Sequence, residues 1–117
     1  MKKIILLLLV CSCFSFLQTE DSYKMTVTKI ADAYNAKDAD QIFGLFAADL
    51  QSSFTLDKVK TFITDNHAKK GMMGSSAFLM DDEGNKRYLM EFDNSSTILI
   101  LGLSTDNKIT KLELEEY

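Results

Sequence analysis

The chain has 117 residues, of which 26% are charged and 46% hydrophobic, too apolar for a disordered segment and of a length that favours one domain. Proline is absent, which excludes a rigid linker or a proline-rich ligand segment. Lys2 and Lys3 are two of the thirteen basic residues, so beyond residue 18 eleven bases face seventeen acids, a net charge of -6; that balance, with no basic stripe, excludes nucleic acid as a partner.

Residues 1-18 read as an export signal peptide that is cleaved. Lys2 and Lys3 give its positive start, and Ile4 to Val10 begin an apolar run with no polar face, too short to span a bilayer. Val10-Cys11-Ser12-Cys13 resembles a bacterial lipobox, in which Cys13 would carry a lipid. Against this stand Cys11 at the middle position and the apolar Phe14 to Leu17 where a tether is usually polar. Cleavage after Ser12, Ser15 or slightly later is the alternative, and both stay open. Either route places the protein in a bacterial periplasm, cell envelope or medium, touching a membrane only through that lipid anchor. Both cysteines fall in this segment, so the mature domain, residues 19-117, has no internal disulfide and is held by packing.

Glu20-Asp21-Ser22 opens a first helix, with acids where the helix dipole favours them. Tyr23, Val27, Ile30, Ala31 and Tyr34 form its apolar stripe, while Lys24, Lys29 and Asp32 are expected to face water. Asn35 to Lys37 end it, and Asp38 is positioned to cap a second, short helix with Ile42, Leu45 and Phe46 inward. Gly44 on that helix costs about 1 kcal/mol against alanine and suggests a close backbone approach. Ala47 to Ser53 is expected to be a connection, helical at its start. Thr55 then caps a third helix, Phe54 and Val59 form a hydrophobic staple, and Leu56, Val59, Phe62 and Ile63 are its buried stripe. Lys69, Lys70 and Gly71 close it.

Beyond Gly71 the period changes to alternation. Ser75 to Met80 is a weakly patterned strand, and Arg87 to Phe92 a second, with Tyr88, Met90 and Phe92 on one face. Thr97 to Leu103 is apolar on both faces, as for a central strand. Lys108 to Glu116 alternates Leu112 and Leu114 against charged residues. Short polar turns between them imply an antiparallel meander. The fold class is therefore α+β, three N-terminal helices packed on a four-stranded curved antiparallel sheet.

The run Tyr34 to Phe46, an aromatic helix end, an Asn-Ala-Lys-Asp break and then Ile42-Phe43-Gly44-Leu45-Phe46, resembles the opening of the nuclear transport factor 2-like superfamily, the cystatin-like cone. The turn Asp106 to Ile109, leading to Leu112 and Leu114, is similar to that family's last hairpin. Within it the chain resembles a compact, secreted bacterial branch of unknown function, found alone or attached to serine hydrolases and other exported enzymes. The resemblance covers about residues 22 to 116 and rests on apolar patterns. It implies helices packed in a curved sheet to make a cone, with Tyr34, Phe46, Phe62, Tyr88 and Met90 as the candidate pocket lining. Larger members place an extra strand pair between the second and third helices. Ala47 to Ser53 leaves no room for one, so the pocket is expected to be shallow or absent.

Enzymes of the ketosteroid isomerase type in this superfamily set a carboxylate base in an apolar cone opposite a tyrosine or protonated acid. Tyr34, Tyr88 and Asp49 are the residue types for such parts. The tyrosines nevertheless read as half-buried packing residues, and Glu91, Glu113 and Glu115 alternate with apolar residues and face water. His67 is the only histidine and the mature domain offers no thiolate pair, so a zinc site is not expected. Asp81-Asp82-Glu83-Gly84-Asn85 lacks the spacing of a calcium loop and reads as a hairpin turn. No catalytic, cofactor or metal residue is assigned. Two functions remain: a non-catalytic exported module that binds a small apolar ligand or an envelope protein, and, as the alternative, a small lyase or isomerase using a reduced apolar cone pocket. The apolar surplus on Leu99, Leu101 and Leu103 also suggests a homodimer through the outer sheet face.

Overall fold

The structure, a computed structural model, describes residues 20-117. The leader assigned to residues 1-18, including the lipidation candidate at position 13, lies outside the described residues. Among the described residues four helices come first: α1 (Glu20–Asn35), α2 (Ala39–Gly44), α3 (Ala48–Ser53) and α4 (Leu56–Lys70). Four strands follow: β1 (Met73–Asp82), β2 (Asn85–Phe92), β3 (Ser96–Leu103) and β4 (Ile109–Glu116). They pair in sequence order as an antiparallel meander. The α+β arrangement stands, with one helix more than expected: the segment read as a connection contains α3.

The helix boundaries follow local chemistry. Asp38 caps α2 by accepting from the Gln41 N–H at 3.2 Å, and Thr55 caps α4 by accepting from Lys58 N–H at 3.4 Å; a cap of this kind contributes about 1 kcal/mol. α4 ends at Gly71, whose φ of 87° is open to glycine at little cost. A Cβ there would sit 2.7 Å from Asp93, so the position is closed to other residues on two counts. Gly44 is different. A Cβ on it would meet nothing within 4 Å, so the close approach expected from the sequence is not made at that residue. The corner between α2 and α3 is fixed by backbone instead. Ile109 N–H donates to Leu45 C=O and Ala47 N–H to Ile109 C=O, both at 2.8 Å, tying the helical layer to β4.

Glu83 and Gly84 both have positive φ (51° and 87°), the pattern of a two-residue type I′ turn, which matches strand twist. The register then settles which side chains face inward. One row across the sheet is Phe78, Tyr88, Leu99 and Leu114; the next is Ser76, Met90, Thr97 and Glu116. These rows face the helices, with Leu99 and Leu101 fully buried and Leu103 packed against the core, while Ser76, Phe78 and Glu116 at their ends are exposed. The three leucines credited to the outer face thus belong to the inner one, because the sheet period of two assigns them with Tyr88 and Met90. The outer face instead carries Leu89, Ile98 and Ile100, bordered by Arg87, Glu113 and Glu115. Arg87 holds Asp82 at 2.8 Å and Glu115 at 3.4 Å there.

The core lies between the helices and the inner sheet face. Ile30, Ile42, Leu99, Leu101 and Ile109 are fully buried, each worth about 1.5–3 kcal/mol relative to exposure. Among the described residues no helix is long and apolar enough to cross a membrane.

Candidate functional site

Two places on the inner side gather polar chemistry: the corner where α1 meets α4, and the trough between α1 and β1. At the corner, the Tyr34 hydroxyl donates to Gly71 C=O at 2.7 Å and its ring stacks on His67, centroids 4.2 Å apart. His67 Nε2 lies 2.7 Å from Tyr34 C=O, the geometry of a ring N–H donating to that carbonyl. Phe62 and Phe92 pack edge-on to Tyr34 at 6.5 and 5.8 Å. Burial, helped by the Asp93 carboxylate, pushes the Tyr34 phenol up to about 12. A phenol in that range is neutral at ordinary pH and serves as a donor, not as a base. Its donor is committed to Gly71.

Asn35, next in the chain, completes the corner. Its Oδ1 accepts from Met73 N–H at 2.8 Å and its Nδ2 donates to Met73 C=O at 2.9 Å. The amide thus acts as a one-residue surrogate strand, holding the first residue of β1. Asp93 Oδ2 accepts from Met72 N–H at 3.0 Å beside it. This corner is structural: each of these groups has a partner within the fold.

The trough is the opposite. Strand β1 diverges from α1, leaving a cleft of about 280 Å³ lined by Lys24, Val27, Ser76, Phe78 and Tyr88. It is continued by a second recess of about 180 Å³ in which Val27 and Ser76 recur beside Ala31, Asp32, Met73 and Met90. Tyr88 and Met90 make the floor. Beside Phe78, Lys86 Nζ sits 5.1 Å from that ring's centroid and 5.2 Å from that of Tyr23, and its charge is held by Asp81 at 2.6 Å. Phe78 meets Tyr88 edge-on at 5.7 Å. The volumes fall at or below the lower limit usual for small-molecule sites, which suits a slender ligand.

Among the described residues no cavity is lined by all five of Tyr34, Phe46, Phe62, Tyr88 and Met90. Tyr34 and Phe46 are fully packed, and Phe46 reaches Phe62 through Phe54, at 5.2 and 5.8 Å. Of the five, Tyr88 and Met90 line the two clefts while themselves buried, and Phe62 is half-buried away from them. Asp49, on α3, lies apart from both tyrosines' surroundings. Lys24 and Asp32 are exposed, as expected, and they also border the two clefts, which facing water does not reveal. The available signal was the spacing of Lys24, Thr28, Ala31 and Asn35, a second stripe beside the apolar one. Among the described residues no group of three or more His, Cys, Asp or Glu side chains is placed to hold a metal ion. A wider depression of about 500 Å³ lies at the other edge, between α3, Phe54 and β4, bordered by Lys58, Lys111 and Glu113.

Comparison with protein-family models, with curated proteins and with solved structures returns no match for this chain.

Proposed function

We propose that this protein is an exported, non-catalytic module of the cone type that binds a slender apolar ligand in the trough between α1 and β1. Export rests on the Lys2-Lys3 leader and its apolar run. Binding rests on one observation: the cleft over Tyr88 has an apolar floor and no carboxylate in its lining, while the nearby tyrosine donor is committed to Gly71. Isomerase chemistry of the related type needs a base and a facing donor in one apolar pocket; here the sole carboxylate of the trough, Asp32, is exposed at the rim of the adjoining recess.

The test uses N-phenylnaphthylamine, an uncharged apolar fluorophore. Its emission should rise saturably with the wild-type protein at one equivalent. Ser76→Trp, which places a large ring in the trough from an exposed strand position, should abolish the rise with the fold intact by circular dichroism. No saturable rise, or an unchanged rise in S76W, overturns the proposal.

A further inference from the structure

We infer that strand β1 is the contact surface between two copies of this chain, paired edge to edge and antiparallel about a two-fold axis at Ser76. β1 is the longest strand, and every residue from Gly74 to Asp81 is exposed. One side of its backbone pairs with β2; the other meets no strand among the described residues and is held at Met73 by the Asn35 amide, which leaves the edge beyond Met73 for a partner. Half of an edge strand's N–H and C=O groups point to that open side. Natural edges are commonly shielded by proline or lysine within the strand, or by bulges that twist it away. From Met72 to Met80 there is no proline and no charge, while Met72, Phe78, Leu79 and Met80 are 43–52% exposed. Register shifts flank Ser76 to Phe78 and leave that run regular, at the middle of the strand.

Charge selects the occupant. Lys69 and Lys70 precede the uncharged stretch, and Asp81, Asp82 and Glu83 follow it. A parallel copy would set like charges side by side. An antiparallel copy sets each lysine end beside the partner's acidic turn, and that arrangement is closed by a two-fold. Lys70 already holds Glu116, Asp81 holds Lys86 and Asp82 holds Arg87. Lys69 and Glu83, both exposed, are the charges left for a partner. With the axis on Ser76, the acidic turn at Glu83 of one copy comes to the end of the other copy's β1 that follows α4, the helix that carries Lys69, and the exposed Phe78, Leu79 and Met80 of one copy run along the Gly74 to Ser76 end of the other. The pairing concerns the edge and needs no ligand, so it stands apart from the binding proposal.

The test is light scattering and sedimentation of the protein purified from the envelope or medium of an expressing bacterium. A mass of two chains is expected at tens of micromolar. Leu79→Lys, a charge on the bare edge, should raise the dimer dissociation constant tenfold or more. Lys69→Glu and Glu83→Lys, both at exposed positions, should each raise it about threefold to tenfold, and the double variant K69E/E83K should restore it, because the swapped charges meet again. A monomer at about ten times the concentration at which the dimer is expected, a dimer indifferent to L79K, or a double variant no better than its parents overturns the inference.

Discussion

Asn35→Ala removes the side chain that stands in for a neighbouring strand at the start of β1. Met73 is 5% exposed, and its N–H and C=O bond the Asn35 amide at 2.8 and 2.9 Å. Each buried group left without a partner costs about 1–3 kcal/mol. For two groups the sum is about 2–6 kcal/mol, and the adjoining recess of about 180 Å³, which Met73 lines, can admit water to them, which puts the loss at the lower end, about 2–3 kcal/mol. For a domain of this size that corresponds to a fall in Tm of about 8–24 °C. Urea unfolding followed by circular dichroism measures it, and the m-value should be unchanged because the surface exposed on unfolding is the same. Asn35→Asp sharpens the test. Its carboxylate keeps the bond from Met73 N–H but confronts Met73 C=O with a second acceptor, so at pH 7 it should destabilise at least as much as alanine. That repulsion raises the folded-state pKa of the new acid, so stability should return as pH falls and the protonated acid donates to the carbonyl. A loss below about 0.5 kcal/mol in N35A, or pH-independent behaviour in N35D, would refute the surrogate-strand account.

Gly71→Ala should cost more than about 2 kcal/mol, because the methyl would meet Asp93 at 2.7 Å with φ at 87°, whereas Gly44→Ala should stabilise by about 0.5–1 kcal/mol, since its site is open; paired thermal melts decide both. Thr97 is 1% exposed and its hydroxyl has no hydrogen-bond partner among the described residues, so the isosteric Thr97→Val should raise stability by about 1 kcal/mol, and a loss would show that the hydroxyl is satisfied. The folded-state pKa of Tyr34 lies near 12 against an ordinary value of 10.0. Its neutral form is therefore the favoured one in the fold, a contribution present in full below pH 10 and lost as pH rises toward 12. Alkaline unfolding should accordingly be less steep over that window in Tyr34→Phe than in the wild type.

Much of the fold is legible in the sequence, for identifiable reasons. α4 has a cap, a staple, an apolar stripe and a terminal glycine, and these local signals agree, so its ends fall where Thr55 and Gly71 put them. The strand positions of Tyr88, Met90 and Phe92 follow from alternation, and all three are buried. Other features were hidden because they depend on pairing. β3 is apolar at nearly every position, so its sequence cannot say which face Leu99 and Leu101 take; only the register against Tyr88 and Leu114 does. β1 was weakly patterned because it is an edge wetted on both faces. Gly44 was credited with an approach that backbone bonds at Leu45 and Ala47 make instead. The trough was the least legible, since it arises from two elements diverging. No residue type records that divergence, and a core tyrosine and a cleft tyrosine look alike until Tyr34 is found against His67 and Tyr88 beside open space.

Amide chemical-shift mapping of the wild-type protein titrated with N-phenylnaphthylamine tests the binding site most directly. Shifts concentrated at Val27, Ala31, Ser76, Phe78, Tyr88 and Met90, saturating together, are the predicted result. Shifts confined to Leu50, Phe54, Thr110 and Leu112 at the opposite edge, or none at a saturating excess of the probe, would contradict it.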